Sequence, residues 1–345
     1  MNRVIDLRSD TITLPNEPMR RAMYQAEVGD DVYVEDPTVV RLEQMMAERV
    51  GMEAGLFVTS GTQGNLVALL THCPRGAEVI LEARAHIFYF EVGGLSALGG
   101  LIPVLVPGQR GVLDPEAVRQ HIRAENVHFP STGLICLENT HNRAGGTITR
   151  PEQVRAIAQV AAEHGIPLHV DGARIMNAAV ALGVHPSELT AGVDSISVCL
   201  SKGLGAPVGA VLCGSKQFIA AARKYRKMLG GGLRQVGVLA AAGIYALENN
   251  VERLAEDHQN ARYLAEGLQQ IPGLSIDMET VQTNIIAIDV SGTGLTGPQV
   301  VQRLAAVGVK GGSPGPNTVR LVTHLNVNRD DCSEALARIQ SALGR

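Results

Sequence analysis

The sequence predicts an α/β fold with a mostly parallel central sheet and a smaller α+β domain towards the C-terminus. Two observations predict it. Up to residue 250, short apolar runs alternate with helix-period segments, the pattern of strands that return through crossover helices. Past residue 250, long helical patterns are interleaved with single strands, and no Pro/Ser-rich linker marks the change. The expected division is a large domain over 1–250, which includes the N-terminal segment, and a small domain over 251–345.

In the large domain, strands are expected at 54–59, 78–81, 101–106, 133–138, 167–171, 194–198 and 209–213. The helical patterns between them cover 38–50, 63–71, 115–124, 151–164 and 216–228. Pro151, two residues after Thr149, fits a helix start with proline in its first turn. Two long helices follow over 235–248 and 251–270, with a bend at 249–250. A strand at 283–289, a helix at 297–307, a strand at 318–323 and a helix at 330–343 complete the small domain.

Composition narrows the function classes. Of 345 residues, 45% are hydrophobic and 19% charged, which is ordinary for a globular protein and excludes a disordered chain. A net charge of −4 supplies no basic field for nucleic acid or an anionic membrane. Aromatic residues are 3% and Trp is absent, which also weakens a base-stacking role. No apolar stretch has the length of a membrane span or the form of a signal peptide. The five cysteines are odd in number and none has CxxC spacing, so neither a disulfide framework nor a structural zinc site is expected. A reducing cytoplasm is the expected location, and no metal is expected.

The chemistry concentrates on Asp171 and Lys202. Asp171 closes the expected strand 167–171, and Lys202 follows the strand 194–198. Parallel strands bring their carboxyl ends to one edge, where open α/β sheets bind ligands. A lysine and an aspartate at that edge suit pyridoxal phosphate. The lysine forms the Schiff base, and the aspartate keeps the ring nitrogen protonated so that the ring accepts electrons. The run 60–65 (Ser-Gly-Thr-Gln-Gly-Asn) lies between a strand and a helix. Its glycines expose backbone N–H groups, the hydroxyls of Ser60 and Thr62 add donors, and the helix N-terminus favours an anion. Ser60, Gly61 and Thr62 are the candidate phosphate cradle. No GxxxxGK[ST] run occurs, and no GxGxxG fingerprint sits between a strand and a helix.

Further runs stand in order over nearly the whole chain. They are 6–11 (Asp-Leu-Arg-Ser-Asp-Thr), 29–38 (Gly-Asp-Asp-Val-Tyr-Val-Glu-Asp-Pro-Thr), 60–65, His86, 138–142 with Gly145 and Gly146, 169–174, 201–209 and 226–235. On these residues the chain resembles the L-threonine aldolase family, the low-specificity L-threonine or L-allo-threonine aldolases. These are aspartate-aminotransferase-like (fold type I) pyridoxal-phosphate enzymes. Two positions depart from the family pattern: Val34 stands where Gly is usual, and Leu233 where Met is common. Val34 bears on the shape beside Tyr33, and so on substrate preference more than on the reaction.

The resemblance implies a carbon–carbon lyase that uses pyridoxal 5'-phosphate. Its reaction is retro-aldol cleavage of L-threonine, L-allo-threonine and related L-β-hydroxy-α-amino acids to glycine and an aldehyde. His86 is implied over the pyridine face, with Glu91 orienting its imidazole. Arg320 would grip the substrate carboxylate through two hydrogen bonds, which lysine cannot reproduce. Ser9 and Arg174 would add carboxylate or cofactor-oxygen contacts. His128, or a water it orders, would take the β-hydroxyl proton, with His86 the alternative base. Tyr33 would line the same pocket, and His141 and His169 would have local hydrogen-bonding roles. Lys227 and Arg234 would reach the phosphate of a neighbouring subunit, which makes a homo-oligomer, a dimer or a dimer of dimers such as a homotetramer, with shared active sites. The expected partner is a small amino-acid substrate, with no nucleic acid and no membrane.

Two alternatives remain open on the residues alone. Aminotransferases, β-eliminating lyases and decarboxylases of the same fold share Asp171, Lys202 and the cradle, although the runs 6–11 and 30–38 speak against them. A non-catalytic scaffold is the other, against which the intact Lys202 argues.

Overall fold

The computed structural model describes residues 3–344. Its strands are β1 (Ile5–Asp6), β2 (Ala54–Val58), β3 (Glu78–Glu82), β4 (Ile102–Val106), β5 (Thr132–Glu138), β6 (Leu168–Asp171), β7 (Ser195–Cys199), β8 (Ala210–Gly214), β9 (Ile285–Asp289), β10 (Val309–Lys310), β11 (Gly312–Gly315) and β12 (Thr318–Val322). Seven of them form the central sheet in the order β2-β8-β7-β6-β5-β3-β4.

The run from β4 through β3, β5 and β6 to β7 is parallel. β8 is antiparallel to both β7 and β2. The expected mostly parallel sheet is therefore present, with one reversed strand that the apolar pattern did not distinguish. The cause is local. The segment 200–209 holds no helix, and a parallel return needs a crossover of a dozen residues or more. β8 is buried along its whole length, so its composition reads like its parallel neighbours. Two reversals leave β2 running in the same direction as β7. The carboxyl ends of β2, β3, β5, β6 and β7 thus share one edge.

Helices cover the sheet, and four of them start where the sequence provides a side-chain cap. Asp36, Ser60, Asp114 and Ser215 each accept a backbone N–H in the first turn of the helix that follows. Helix Gly61–His72 is apolar on most sides because it is wedged between the sheet and helix Lys216–Met228. Four helices escape the sequence reading, the single turns His86–Tyr89 and Gly94–Ala97 and two longer ones. Ile175–Leu182 is almost entirely apolar and buried, so it has no amphipathic period. Glu17–Tyr24 buries only Met19, though its Asn16 cap and early proline are readable start signals.

A second core lies beneath the antiparallel sheet β11-β12-β9 and helices Leu254–Leu268, Gly297–Ala306 and Arg329–Leu343. Leu254 belongs to the first core, while Ala261 and Leu264 of the same helix belong to the second. The N-terminal segment differs from expectation. β1 pairs in parallel with β10, and Ile5 and Leu7 are buried in the second core. Apolar pairing thus draws residues 5–7 to the small unit rather than to the rest of 1–250. The chain then crosses to the main sheet edge, where Thr13 Oγ1 donates to the Lys202 carbonyl at 3.2 Å. Among the described residues, no helix is long and apolar enough to cross a membrane.

Candidate active site

The shared strand edge collects the chemistry. Asp171 ends β6, Lys202 follows β7, Ser60 follows β2, Glu138 ends β5, and His86 lies just beyond β3. Beside Lys202 is a cavity of about 360 Å³, lined also by Ser9, His86, Asn142, Arg174 and Arg320. Lys202 is partly buried there, and among the described residues its ammonium makes no hydrogen bond or salt bridge.

Asp171 is 3% exposed and lies deeper. Its Oδ2 accepts from Asn65 Nδ2 at 3.0 Å, and its Oδ1 accepts from the Ala173 N–H at 3.2 Å. His86 Nδ1 is 2.9 Å from Glu91 Oε1, and the backbone N–H of His86 donates to Glu138 Oε2 at 2.7 Å. Burial works against the imidazolium of His86, yet the Glu91 hydrogen bond and the charges of Asp171 and Glu91 raise its pKa above the usual value. Burial, with Asp171 nearby, raises Glu91 as well. Both directions fit a pair that retains one proton between them.

Polar atoms of His86, Glu91 and Asp171 lie within 4.8 Å of one another, which is also the donor set of a cation site. Asn65 Nδ2 donates to both carboxylates there, so its hydrogens already occupy the place a cation would take.

Arg174 and Asp10 form a buried pair, with Nε and Nη2 donating to the two carboxylate oxygens at 2.7 Å each. Burial alone would raise the Asp10 carboxyl. Arg174 overrides it and, helped by Lys202 and Asn284, holds it well below the usual carboxylate range. Arg320 Nη1 donates to Asn142 Oδ1 at 2.9 Å and Nη2 to the Arg8 carbonyl at 3.3 Å, while its buried Nε has no partner. Burial and the neighbouring Arg174 lower the Arg320 pKa. A partly buried guanidinium with an unused donor, close to a second arginine, suits a carboxylate. Ser9 Oγ accepts from Thr11 Oγ1 at 2.8 Å and keeps its own proton for the cavity.

The cradle has the form an anion needs. Ser60 caps helix Gly61–His72 through the Gln63 N–H at 3.1 Å. Among the described residues the N–H groups of Gly61 and Thr62 have no protein partner, which leaves them for a phosphate. A side chain at position 61 would sit 2.6 Å from Cys199 Sγ, so glycine lets the helix start lie directly against the end of β7. Lys202, Asp171 and the cradle therefore fit pyridoxal phosphate.

Four expected residues lie away from the cavity, from Asp171 and from the cradle. His128 is exposed in the segment that leads into β5. That segment meets the amino-terminal edge of the sheet, where Arg123 pairs with Glu78 at the start of β3. The chain cannot bring His128 to its own Lys202, which sits at the opposite edge. Tyr33 is 71% exposed beside Val34, whose φ of 61° is left-handed. Glycine adopts that conformation without strain, which accounts for the family preference at position 34. Lys227 is exposed, and Arg234 Nη1 pairs with Asp30 Oδ2 at 3.2 Å. Their segment touches the cradle only at its side, where Gln63 Nε2 donates to the Leu229 carbonyl.

Sequence reasoning gave no role to Asp10, Asn65 or Asn142. Each lies within a motif run, but its task depends on a partner far away in the chain. His141 acts locally, with Nε2 2.8 Å from Glu82 Oε2 and Nδ1 accepting from the Ala144 N–H.

The family described as Beta-eliminating lyase matches residues 6–291. The chain is 45% identical to the low specificity L-threonine aldolase of Escherichia coli (strain K12), over 99% of this chain and 100% of that one. This chain belongs to the L-threonine aldolase/β-eliminating lyase family. Low-specificity L-threonine aldolase 1 of Arabidopsis thaliana is likewise 45% identical, over 99% of this chain and 97% of its own length. Among solved structures, the Leishmania major threonine aldolase superposes with a TM-score of 0.85 at 19% identity, covering 98% of this chain and 99% of that one. A Thermus thermophilus aspartate aminotransferase double mutant gives 0.76 at 19% identity, covering 99% and 92%. The fold is thus the aspartate-aminotransferase-like, fold type I architecture, and members of this threonine aldolase family use pyridoxal phosphate.

Proposed function

We propose that this protein cleaves L-threonine, L-allo-threonine and related L-β-hydroxy-α-amino acids to glycine and an aldehyde, with pyridoxal phosphate as cofactor. The observation that carries this reading is the unpaired Lys202 ammonium in a cavity that also holds His86, Arg174 and Arg320. Lys202, Asp171 and residues 60–62 would hold the cofactor. When bound, it supplies an electron sink for the bond broken at Cα.

The chain's residues decide which bond that is. Arg320, with Arg174 and Ser9, binds the substrate carboxylate and so turns Cα. The hold on the carboxylate would decide which bond at Cα is aligned for cleavage, a positioning effect. Asp171 would hold the cofactor's ring nitrogen through its carboxylate. His86 Nδ1 is engaged by Glu91, so Nε2 is the atom free to take the β-hydroxyl proton. The position of His128 favours His86 as the base supplied by the same chain.

The outer residues fit an assembly. Tyr33, His128, Lys227 and Arg234 are accessible to a second copy, which supports a homo-oligomer, a dimer or dimer of dimers, with Lys227 and Arg234 reaching a neighbour's phosphate. The division near residue 250, with 5–7 joined to the small unit, and a cytoplasmic location belong to the same reading. The test is product analysis. Purified protein with pyridoxal phosphate and L-threonine should release glycine and acetaldehyde in equal amounts. Ammonia and a keto acid instead would reassign the chain to β-elimination.

A further inference from the structure

Asn65, His169, Ser195 and His72 form a line of polar groups that the reaction above leaves unused. Asn65 and His72 lie on the same helix, Gly61–His72, while His169 and Ser195 are register partners on β6 and β7. His169 Nε2 is 3.2 Å from Asn65 Oδ1, and His169 Nδ1 is 2.9 Å from Ser195 Oγ. Ser195 Oγ is in turn 2.7 Å from His72 Nε2. Asn65, His169 and Ser195 are 1%, 0% and 0% exposed. The line crosses the domain from the strand carboxyl edge to the opposite edge. There His72 stacks on Phe218 and lines a groove of about 520 Å³.

Donors and acceptors along this line can be arranged in one way. Asn65 meets Glu91 Oε1 at 2.8 Å and Asp171 Oδ2 at 3.0 Å through a single atom, so that atom is the donating nitrogen. Its Oδ1 then faces His169 Nε2, which must donate. Burial lowers the His169 pKa to about 3, so the ring is neutral and Nδ1 carries no proton. Ser195 therefore gives its one proton to His169 Nδ1 and accepts from His72 Nε2. Burial lowers His72 to about 4, so that ring is neutral too. Every hydrogen in the line points towards the two carboxylates.

We propose that His169, Ser195 and His72 are positioning residues that lock the Asn65 amide with its nitrogen towards Asp171. The lock rests on the reading that Asp171 faces the cofactor's ring nitrogen. It fixes the carboxylate plane and supplies a donor to Oδ2. A flipped amide would set Oδ1 against Asp171 Oδ2, acceptor against acceptor, and turn the carboxylate away from the orientation the ring nitrogen needs.

The test compares two replacements of His169. His169→Gln places an amide nitrogen near Nε2 and retains a donor, whereas His169→Leu keeps bulk without one. Equilibrium dialysis against pyridoxal phosphate is measured beside kcat and KM. His169→Leu should raise the cofactor dissociation constant and lower kcat by about tenfold, the scale of one unsatisfied buried acceptor, with KM near native. His169→Gln should recover most of both. Ser195→Ala should shift the same quantities in the same direction by less, and it decides the matter if His169→Leu does not fold. The lock is overturned if Gln is no better than Leu, or if folded variants keep native cofactor affinity and kcat. Nitrogen-15 spectra of the cofactor-free protein give an independent readout: Nε2–H on His169 is required, and Nδ1–H contradicts the arrangement. Wild-type protein that takes up no pyridoxal phosphate would overturn the functional reading itself, whereas native-like His169 variants of a loaded enzyme overturn only the lock.

Discussion

The inner and outer parts of this site are built differently. Around Lys202 and Asp171, three buried or half-buried groups are held by residues distant in sequence: Asp10 by Arg174, Asn142 by Arg320, and Asp171 by Asn65. Tyr33, His128, Lys227 and Arg234 are exposed, and Arg234 pairs only with Asp30 beside it. A buried charge must be paired where it lies, since unpaired burial costs several kcal/mol, whereas an exposed one is solvated until a partner arrives. Within one chain, then, the groups around Lys202 and Asp171 are already held in place, while Tyr33, His128, Lys227 and Arg234 stay exposed at the rim.

The largest effect separates the two parts outright. Lys202→Ala should abolish steady turnover, and Arg234→Ala should impair it. Mixed Lys202→Ala and Arg234→Ala chains should regain activity, because a hybrid dimer then holds one site with neither change. Hybrids verified by mass that stay inactive would make the rim a feature of its own chain.

Asp171→Asn should come next. Removing the charge opposite the ring nitrogen should lower kcat by ~10²-fold or more, about 3 kcal/mol, while cofactor still binds through the 60–62 cradle. Near-native turnover would remove Asp171 from the inner part.

Arg320→Lys sharpens the comparison more gently. The lysine keeps a charge but loses the planar pair of donors, so KM should rise by roughly tenfold with a smaller change in kcat. An unchanged KM would place the carboxylate elsewhere.

The smallest effect is a shift in pH dependence. Glu91 raises the His86 pKa, and a base must be deprotonated to act. Activity should therefore fall as pH drops through that raised value. Glu91→Gln lowers the value, so the acid limb of kcat/KM should move to lower pH. A limb that moves up, or stays, would mean that His86 is not the base.

The sequence reveals the inner part better than the rim for a physical reason. Asp171, Lys202 and Ser60 each follow an apolar strand, and parallel strand ends must meet at one edge. The Asp10–Arg174 and Arg320–Asn142 contacts join segments 164 and 178 residues apart, and no local pattern records them. The edge on which His128 lies was not legible, because its motif neighbours carry no information about edge. It precedes β5, and residues before a parallel strand lie opposite those that follow one. The reversed β8 was hidden in the same way, since burial on both faces gives one composition whichever direction the strand runs.

The roles given to Asp171, His86 and Arg320 all depend on Lys202 carrying the cofactor. Reduction of the pyridoxal-phosphate-loaded wild-type protein with borohydride, followed by peptide mapping, tests it most directly. A pyridoxyl label is expected on Lys202, in the peptide that follows β7. A label on Lys227 or any other lysine, with Lys202 unmodified, would contradict it.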